Sequence, residues 1–352
     1  MKSGHSFRTL HTDFILCRMR VFLAVTALVV MAGAASVTLE DLEFNAWKLK
    51  FGKSYGSVEE ESQRKMIWLN NLKLVLEHNM LADQGLKSYR LSMNHFADTD
   101  NQEYQARFSG CLGSFNMTKA RRATTDFRKA GGAAVPNYID WRKMGYVTEV
   151  KNQHLCNSCW AFSATGALEG QMFRKTKQLM SLSEQQLVDC SQEFGNHGCE
   201  GGWYFKAFDY VMSSGGLEME NTYPYQAKDG MCQFNPKNAK ATCQDYIVLR
   251  SGNENNLQYA VAVIGPISVA IDTSRPTFQL YHSGVYDEPT CSSIKLTHAV
   301  LIVGYGTDNL RQDYWLVKNS WGAQWGEEGY IRMSRNKDNQ CGIATVPIFP
   351  VV

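Results

Sequence analysis

The sequence predicts an α+β protein of two lobes preceded by a helical segment. Helix-period stretches come first and short β-rich runs come late, without the alternation that βαβ units would give. The chain of 352 residues is long enough for two or three packed units, at roughly 100–200 residues per domain. Its 44% hydrophobic and 20% charged residues are those of an ordinary soluble globular protein.

The amino end reads as a targeting segment. Arg18 and Arg20 flank an apolar run over residues 21–32, followed by Gly33, Ala34 and Ala35. A basic flank, a short apolar core and a small-residue exit are the parts of a secretory signal peptide, expected over residues 1–35. Residues 1–18 are a poor signal start, so Met19 is a second candidate initiator. The run is shorter than the ~18–20 residues of a membrane-spanning helix, and no stable membrane span is expected. Entry into the secretory pathway points to a lysosomal or secreted protein and permits disulfides among the ten cysteines.

Within residues 36–134, Leu39, Leu42 and Ala46 recur at helical spacing, as do Phe44, Trp47 and Phe51. Residues Val58–Asp83 lack Gly and Pro and should form a long helix. Glu60, Arg64, Trp68, Asn71, Val75 and Asn79 step along it by three or four residues, making one stripe. By itself such a stripe is a packing face sooner than a site. After Asp98 the chain turns polar and loses periodicity, and residues 107–132 read as an exposed linker open to proteolysis. The linker holds the basic pair Arg121–Arg122 and the sequon at Asn116, a candidate glycosylation site.

From Pro136 onward the composition is that of a compact domain. Helical runs follow Cys159 and Ser183; residues 267–271, 299–305 and 314–317 are short β-rich runs bounded by Gly, Pro or Asp. A net charge of +2 gives no field that would favour nucleic acid or an anionic membrane as partner.

The chemistry concentrates in Gln153-His154-Leu155-Cys156-Asn157-Ser158-Cys159-Trp160, a polar turn running into an amphipathic helix. A cysteine at a helix N-terminus meets the positive end of the macrodipole, which favours thiolate, the attacking species. Cys-x-x-Cys also fits a redox dithiol or half a zinc site, although a preceding βαβ strand and a second close Cys/His pair are both lacking. A nucleophilic cysteine needs a base, and the base an orienting group. His298 stands at the mouth of a β-rich run, and the amide of Asn319 could fix its tautomer while Trp321 shields that bond from water.

Taken together, Gln153, Cys159, His298 and Asn319 with Trp321 resemble, in order and surroundings, the catalytic residues of the papain family of cysteine proteases. Further stretches are similar to that family's cathepsin L branch: residues 150–153, 181–185, 198–202, 223–225 and 265–270. The stripe over residues 60–79 resembles the family's inhibitory-helix motif, and Asn94, Phe96 and Asp98 its second propeptide motif. The resemblance covers residues 38–349. It implies a papain-like fold, a helical lobe plus a β-barrel-like lobe, as the mature peptidase over 135–352, with an inhibitory propeptide over 36–134.

By that resemblance Cys159 attacks the peptide carbonyl, His298 carries the proton, Asn319 orients His298, and Gln153 with the Cys159 N–H forms the oxyanion hole. Disulfides Cys156–Cys199, Cys190–Cys232 and Cys291–Cys341 are implied, which would remove the redox reading of Cys156; Cys111 and Cys243 have no implied role. Gly201 and Gly202 offer backbone to an extended substrate. Trp203, Tyr204, Ala270, Leu296, Ala299 and Val346 line an apolar pocket for the residue preceding the scissile one, narrowed by the two aromatics. No cofactor or metal is implied. The implied partners are protein and peptide substrates, the chain's own propeptide and cystatin-type inhibitors, the protein itself being a monomer.

Two residues depart from the family pattern. His154 and Asn157 stand where glycines are usual, and Asn157 should tolerate a left-handed backbone while pushing its side chain towards the substrate. These departures keep open a weakly active or inactive homologue that binds peptides or inhibits proteases. Activation is expected in acid, as propeptide carboxylates such as Glu60 and Asp98 protonate, with cleavage near Ala134 or Val135.

Overall fold

The computed structural model describes residues 37–108, 110–112 and 134–352. The signal segment with Met19 and Cys17, the sequon at Asn116 and the pair Arg121–Arg122 lie outside the described residues. Among the described residues, those up to Glu61 form one compact unit and those from Ser62 onward another. The described residues from Ser62 to Leu112 are therefore part of the same body as residues 134–352.

In the first unit, helix α1 (Leu39–Phe51) starts in a capping box, where the Thr38 hydroxyl accepts from the Asp41 N–H and the Asp41 carboxylate accepts from the Thr38 N–H. It ends at Gly52 in the left-handed conformation. Phe44 and Trp47 are its buried face, with Phe44 stacked on Trp47 and Tyr55. Helix α2 (Val58–Asp83) is one uninterrupted run of 26 residues.

In the second unit, α2 uses its stripe as a grip. Asn79 exchanges two hydrogen bonds with the Leu91 backbone, at 3.0 and 2.9 Å, and so fixes strand β1 (Tyr89–Leu91). The Asn71 amide donates to the carbonyls of Ala97 and Thr99, and Arg64 donates to the Asp98 carbonyl. Trp68 and Val75 are the buried apolar members between them. The stripe is thus packing face and binding device at once. Glu60, on the N-terminal turn, is exposed and accepts from the nearby Gly56 N–H.

The polar stretch after Asp98 is more ordered than its composition suggests. It forms helix α3 (Asn101–Phe108), whose Tyr104 and Phe108 are buried. Eight residues are too few for a strong periodic signal, and two aromatic anchors suffice to dock them. The expected exposed linker is also corrected at its start: Cys111 and Leu112 are buried.

From residue 134 the chain forms β2 (Ile139–Asp140) and then a helical layer of α4 (Cys159–Thr176), α5 (Glu184–Cys190) and α6 (Tyr204–Ser214). The chain then turns to β3 (Asp245–Val248), α7 (Glu254–Val263), β4 (Ile267–Ile271), the short α8 (Pro276–Gln279) and β5 (Tyr281–Tyr286). It closes with β6 (His298–Thr307), β7 (Asp313–Lys318), β8 (Tyr330–Ser334) and β9 (Ile348–Val351). The sheet runs β1-β5-β8-β7-β6-β4-β9-β3, with β2 on β6. Among the described strands only the β5–β8 pair is parallel.

Strand β1 belongs to the propeptide and extends this sheet at β5, antiparallel. Gly284 permits the approach: a Cβ there would lie 2.4 Å from the Ser88 carbonyl oxygen, and its φ is +94°. Helix α4 lies across β6, β4 and β9 and brings its own first residue, Cys159, to the start of β6. The buried Ser163 hydroxyl donates to the Val300 carbonyl, and Ser268 donates back to the Ser163 carbonyl, tying helix to sheet.

Candidate active site

Two antiparallel strands bring the polar groups together. His298 opens β6, Asn319 follows the last residue of β7, and β6 pairs with β7 through Leu301 and Lys318. The two side chains meet at 2.8 Å, His298 Nε2 to Asn319 Oδ1. Asn319 Oδ1 also accepts the Ser320 backbone N–H at 2.8 Å, which identifies that atom as the oxygen. Nε2 of His298 must then carry the hydrogen, leaving the Nδ1 lone pair with no partner in a fully buried ring. Burial pushes the imidazole down to about 4, against the Asn319 hydrogen bond, so it is neutral at ordinary pH.

An imidazole nitrogen of His298 and the sulfurs of Cys159 and Cys111 lie within 4.8 Å of one another. Cys159 is the first residue of α4, where the helix dipole favours a thiolate. The Ala299 N–H points at its sulfur from 3.1 Å. Trp321 covers His298, ring centroids 4.8 Å apart and tilted by 34°.

Gln153 is held from three sides. Its N–H donates to the Ser320 carbonyl, its Oε1 accepts from the Ser320 hydroxyl at 2.7 Å, and its Nε2 donates to the Cys156 carbonyl at 2.9 Å. The turn after it takes a left-handed residue, as a glycine there would, but at His154 (φ 52°). The Asn152 side chain makes this possible by accepting the His154 N–H. Asn157 is not left-handed, so the expectation that its type serves such a backbone is corrected. Its side chain faces the propeptide instead: Nδ2 lies 3.7 Å from where a Cβ on Gly110 would stand, and Oδ1 is buried without a partner.

The motif around Tyr225 was visible in the sequence, yet its part in the site was not. Its hydroxyl bonds the Gln153 carbonyl at 2.9 Å and the Ser158 hydroxyl at 2.6 Å, bracing both ends of the cysteine turn. Cys156 is bonded to Cys199 beneath that turn, Cys190 to Cys232 and Cys291 to Cys341. Cys243 is buried in the core, its sulfur 3.9 Å from the Phe208 carbonyl oxygen. The fourth pair joins Cys111 to Cys159 and has no counterpart in the sequence reading.

Residues 110–112 lie against Gly201, Gly202 and Cys159. The Gly202 N–H donates to the Cys111 carbonyl at 3.0 Å. Gly201 (φ +115°) lies so close that a Cβ would sit 2.7 Å from the Gly110 oxygen and 2.9 Å from the Cys111 oxygen. Leu112 is buried in one apolar cluster with Trp203, Tyr204, Ala270, Ala299 and Val346, with Leu296 at its edge. Tyr204 lies at the bottom rather than projecting, its hydroxyl bonded to the Val346 carbonyl. Phe96, Tyr104 and Phe108 pack edge-on against Trp321 at 5.2, 5.9 and 5.9 Å between centroids.

Behind the site lies a buried charge cluster that sequence reading did not single out. Lys151 donates to Glu184 at 2.8 Å and reaches Glu169 at 3.4 Å, while Lys318 donates to the Thr148 carbonyl and hydroxyl. Burial pushes the Lys318 ammonium down to about 8, with Glu169 opposing. Burial also resists ionisation of Glu169, but Lys151 and Lys318 override it and hold its carboxyl below the usual range.

A buried cysteine at a helix start, an Asn-oriented imidazole beside it and a propeptide laid through the cleft define a thiol-dependent hydrolase held as its precursor. Residues 135–351 match the papain family cysteine proteases, and residues 44–104 match the cathepsin propeptide inhibitor domain (I29). The chain belongs to the papain family of cysteine proteases, as a cathepsin L-like zymogen with its inhibitory propeptide. It is 46% identical to a cathepsin L-like peptidase of Aedes aegypti over 95% of this chain and 100% of that protein. It is 47% identical to cathepsin L2 of Homo sapiens over 89% of this chain and 92% of the relative. In solved structures it resembles digestive procathepsin L2 proteinase from Tenebrio molitor larval midgut, with a TM-score of 0.84 and 42% identity over 89% of this chain and 100% of that one. No helix among the described residues is long and apolar enough to cross a membrane.

Proposed function

We propose that this zymogen matures to an endopeptidase in which Cys159 is the nucleophile and His298 the acid–base group. The observation that carries the assignment is the Asn319 Oδ1–His298 Nε2 bond, because it leaves Nδ1 as the unprotonated, unpartnered nitrogen of a ring that has a nitrogen within 4.8 Å of the Cys159 sulfur. Nδ1 takes the thiol proton and the helix terminus favours the thiolate. The thiolate adds to the substrate carbonyl carbon, and the oxyanion is received by the Cys159 N–H and the Gln153 amide. His298 returns the proton to the leaving amine as the C–N bond breaks. Water, deprotonated by His298, then hydrolyses the thioester. Asn319 and Trp321 hold the ring throughout.

Substrate is read on Gly201 and Gly202 through backbone bonds and in the pocket of Trp203, Tyr204, Ala270, Leu296, Ala299 and Val346 through apolar contact. These side chains are apolar and, Leu296 apart, buried, which supports preference for a hydrophobic residue at the second position upstream of the cut. Val346 puts no charge at the pocket floor, which argues against Arg there. The mature chain begins near Ala134 or Val135, released in an acidic compartment of the secretory route, lysosomal or extracellular. It acts as a monomer that cystatin-type inhibitors can block. The test is to label the acid-treated, reduced protein with an epoxide or vinyl-sulfone probe and map the adduct. Stoichiometric labelling at Cys159 is expected; labelling elsewhere, or none, overturns the assignment.

A further inference from the structure

The propeptide contributes one sulfur to the catalytic cleft. Cys111 and Cys159 are paired, with their Cα atoms 6.1 Å apart, inside the ~4.4–6.8 Å range usual for disulfides. The other three disulfides join cysteines within the peptidase; this one crosses from the propeptide to the residue assigned as nucleophile. Both residues are fully buried. Their approach is built by the surroundings on each side. The Cys111 carbonyl is held by the Gly202 N–H, its backbone fits only because Gly201 lacks a side chain, and Leu112 is anchored in the apolar cluster. Across the cleft, Cys159 is fixed by the first turn of α4 and by the Ala299 N–H on its sulfur.

We propose that Cys111 is a redox latch: it closes the zymogen as a reversible disulfide with Cys159, so activation requires a thiol reductant as well as loss of the propeptide. The proposal rests on Cys159 being the nucleophile and adds a control on it.

The oxidant is a low-molecular-weight disulfide, RSSR. The Cys159 thiolate attacks one sulfur of RSSR, the R–S–S–R bond breaks, and RS⁻ leaves with Cys159–S–S–R formed. The Cys111 thiolate then attacks the Cys159 sulfur, forming Cys111–S–S–Cys159 and expelling the second RS⁻. The two cysteine protons end on two RSH; the protein dithiol has lost two electrons and RSSR has gained them. Reduction by two thiols, or by one phosphine and water, reverses it.

Two consequences follow. Proteolysis in the segment between residues 112 and 134 leaves the stretch carrying Cys111 still bonded to Cys159, so cleavage alone gives a cut but silent enzyme. Because both sulfurs are buried, exchange with a reductant follows loosening of the propeptide, which sets an order of events.

The test uses the full precursor, purified in air without reductant, acid-treated, then alkylated and digested without reduction. Mass spectrometry should recover the Cys111 peptide joined to the Cys159 peptide, lost after a phosphine reductant. A vinyl-sulfone probe should leave wild-type Cys159 unlabelled until phosphine is added, whereas Cys111→Ser labels without it. Recovery of both cysteines as alkylated thiols overturns the latch. So does labelling released by a chelator alone, which would make Cys111, Cys159 and His298 a metal clasp. If Cys111→Ser does not fold, the cross-link map and the reductant dependence of the wild type still decide. Failure of reduced Cys159 to label, with the cross-link found, would sink the nucleophile assignment and leave the disulfide standing.

Discussion

Asn319 Oδ1 accepts two hydrogens at once, from His298 Nε2 and from the Ser320 N–H, each at 2.8 Å. The second bond prevents the amide from flipping, so the first dictates the imidazole tautomer. Asn319→Ala removes both. The ring should then sample the wrong tautomer and orientation, and kcat should fall by about 10²-fold, the lower end of what a positioned acid–base group contributes. KM should move little, since Asn319 lines no substrate pocket. Steady-state kinetics on a dipeptide amide check this; a drop carried wholly by KM would contradict it.

His78 ties acidification to release. Its ring is buried against Tyr89 at 4.4 Å, with Nε2 bonded to the Tyr89 carbonyl at 3.0 Å. Burial pushes its pKa below 6.5, aided by Lys87 and Arg90 and opposed by the Tyr89 carbonyl and Glu288. The docked state therefore disfavours the protonated ring relative to a released helix, whose imidazole protonates at its ordinary 6.5. Docking strength from this group is full above that pH and is lost as pH falls from it towards the depressed folded value. His78→Gln keeps a donor for the Tyr89 carbonyl and cannot titrate. Its activation midpoint, followed as loss of precursor against pH with reductant present, should move to lower pH. An unchanged or higher midpoint would rule out His78 as a contributor.

The aromatic contact between Phe96 and Trp321 links inhibitor to catalytic site directly. Phe96 also meets Phe108 at 5.0 Å and Tyr104 at 5.8 Å, so its ring is the hub of the dock. Phe96→Ala should weaken docking by about 3–5 kcal/mol, the usual range for emptying a buried aromatic site. In reducing buffer at neutral pH the variant precursor should show early activity, while the matured enzyme, which lacks Phe96, keeps its kcat/KM. A precursor as silent as wild type would show that the grip lies elsewhere.

Asn157 carries a side chain into the groove at the Gly110 backbone, with its Oδ1 buried and unpartnered. On the proposed binding mode the same side chain meets the substrate next to the cut in the mature enzyme. Asn157→Gly should raise kcat/KM on dipeptide amides, and because the Asn157 backbone is not left-handed the gain cannot come from relieved strain. An unchanged kcat/KM would mean the side chain swings clear.

Long periodic segments were the most legible part of the chain. The helix over Val58–Asp83 could be read because nothing interrupts it, and the cysteine turn because its residue types have few other uses together. Helix α3 was hidden, since it is short and held by two aromatics against a surface far away in sequence. The pairing of Cys111 with Cys159 was illegible for the same reason: spacing carries no information about which cysteines meet. Of the two positions where glycine is usual, His154 takes the left-handed backbone and Asn157 does not, and a neighbouring Asn152 side chain, invisible to a residue-by-residue reading, supports the turn at His154. Buried charges such as Glu169 look like any surface glutamate until the fold closes over them.

Glu169 is where that hidden chemistry can be tested on stability. It accepts the Thr148 hydroxyl at 2.7 Å and the Leu182 N–H at 3.0 Å, and it faces Lys151 with its second oxygen's partner shared by Glu184. Glu169→Gln keeps the shape and removes the charge, leaving Lys151 and Lys318 with Glu184 as the nearest buried carboxylate. The cost should fall below the about 3–5 kcal/mol of breaking an isolated buried pair, because Lys151 keeps its 2.8 Å bond to Glu184. The Glu184 carboxyl, pushed up to about 7 by burial and partly by Glu169, ionises more readily once that charge is gone. The Glu169 carboxyl is held below its ordinary 4.5, so its contribution is full above that pH and is lost as pH falls through the depressed folded value. Denaturant melts of the reversibly inhibited mature enzyme should therefore show a wild-type advantage at neutral pH that narrows in acid. An advantage constant with pH would mean that Glu169 supports the fold through its hydrogen bonds alone, and that its charge is immaterial to the site above it.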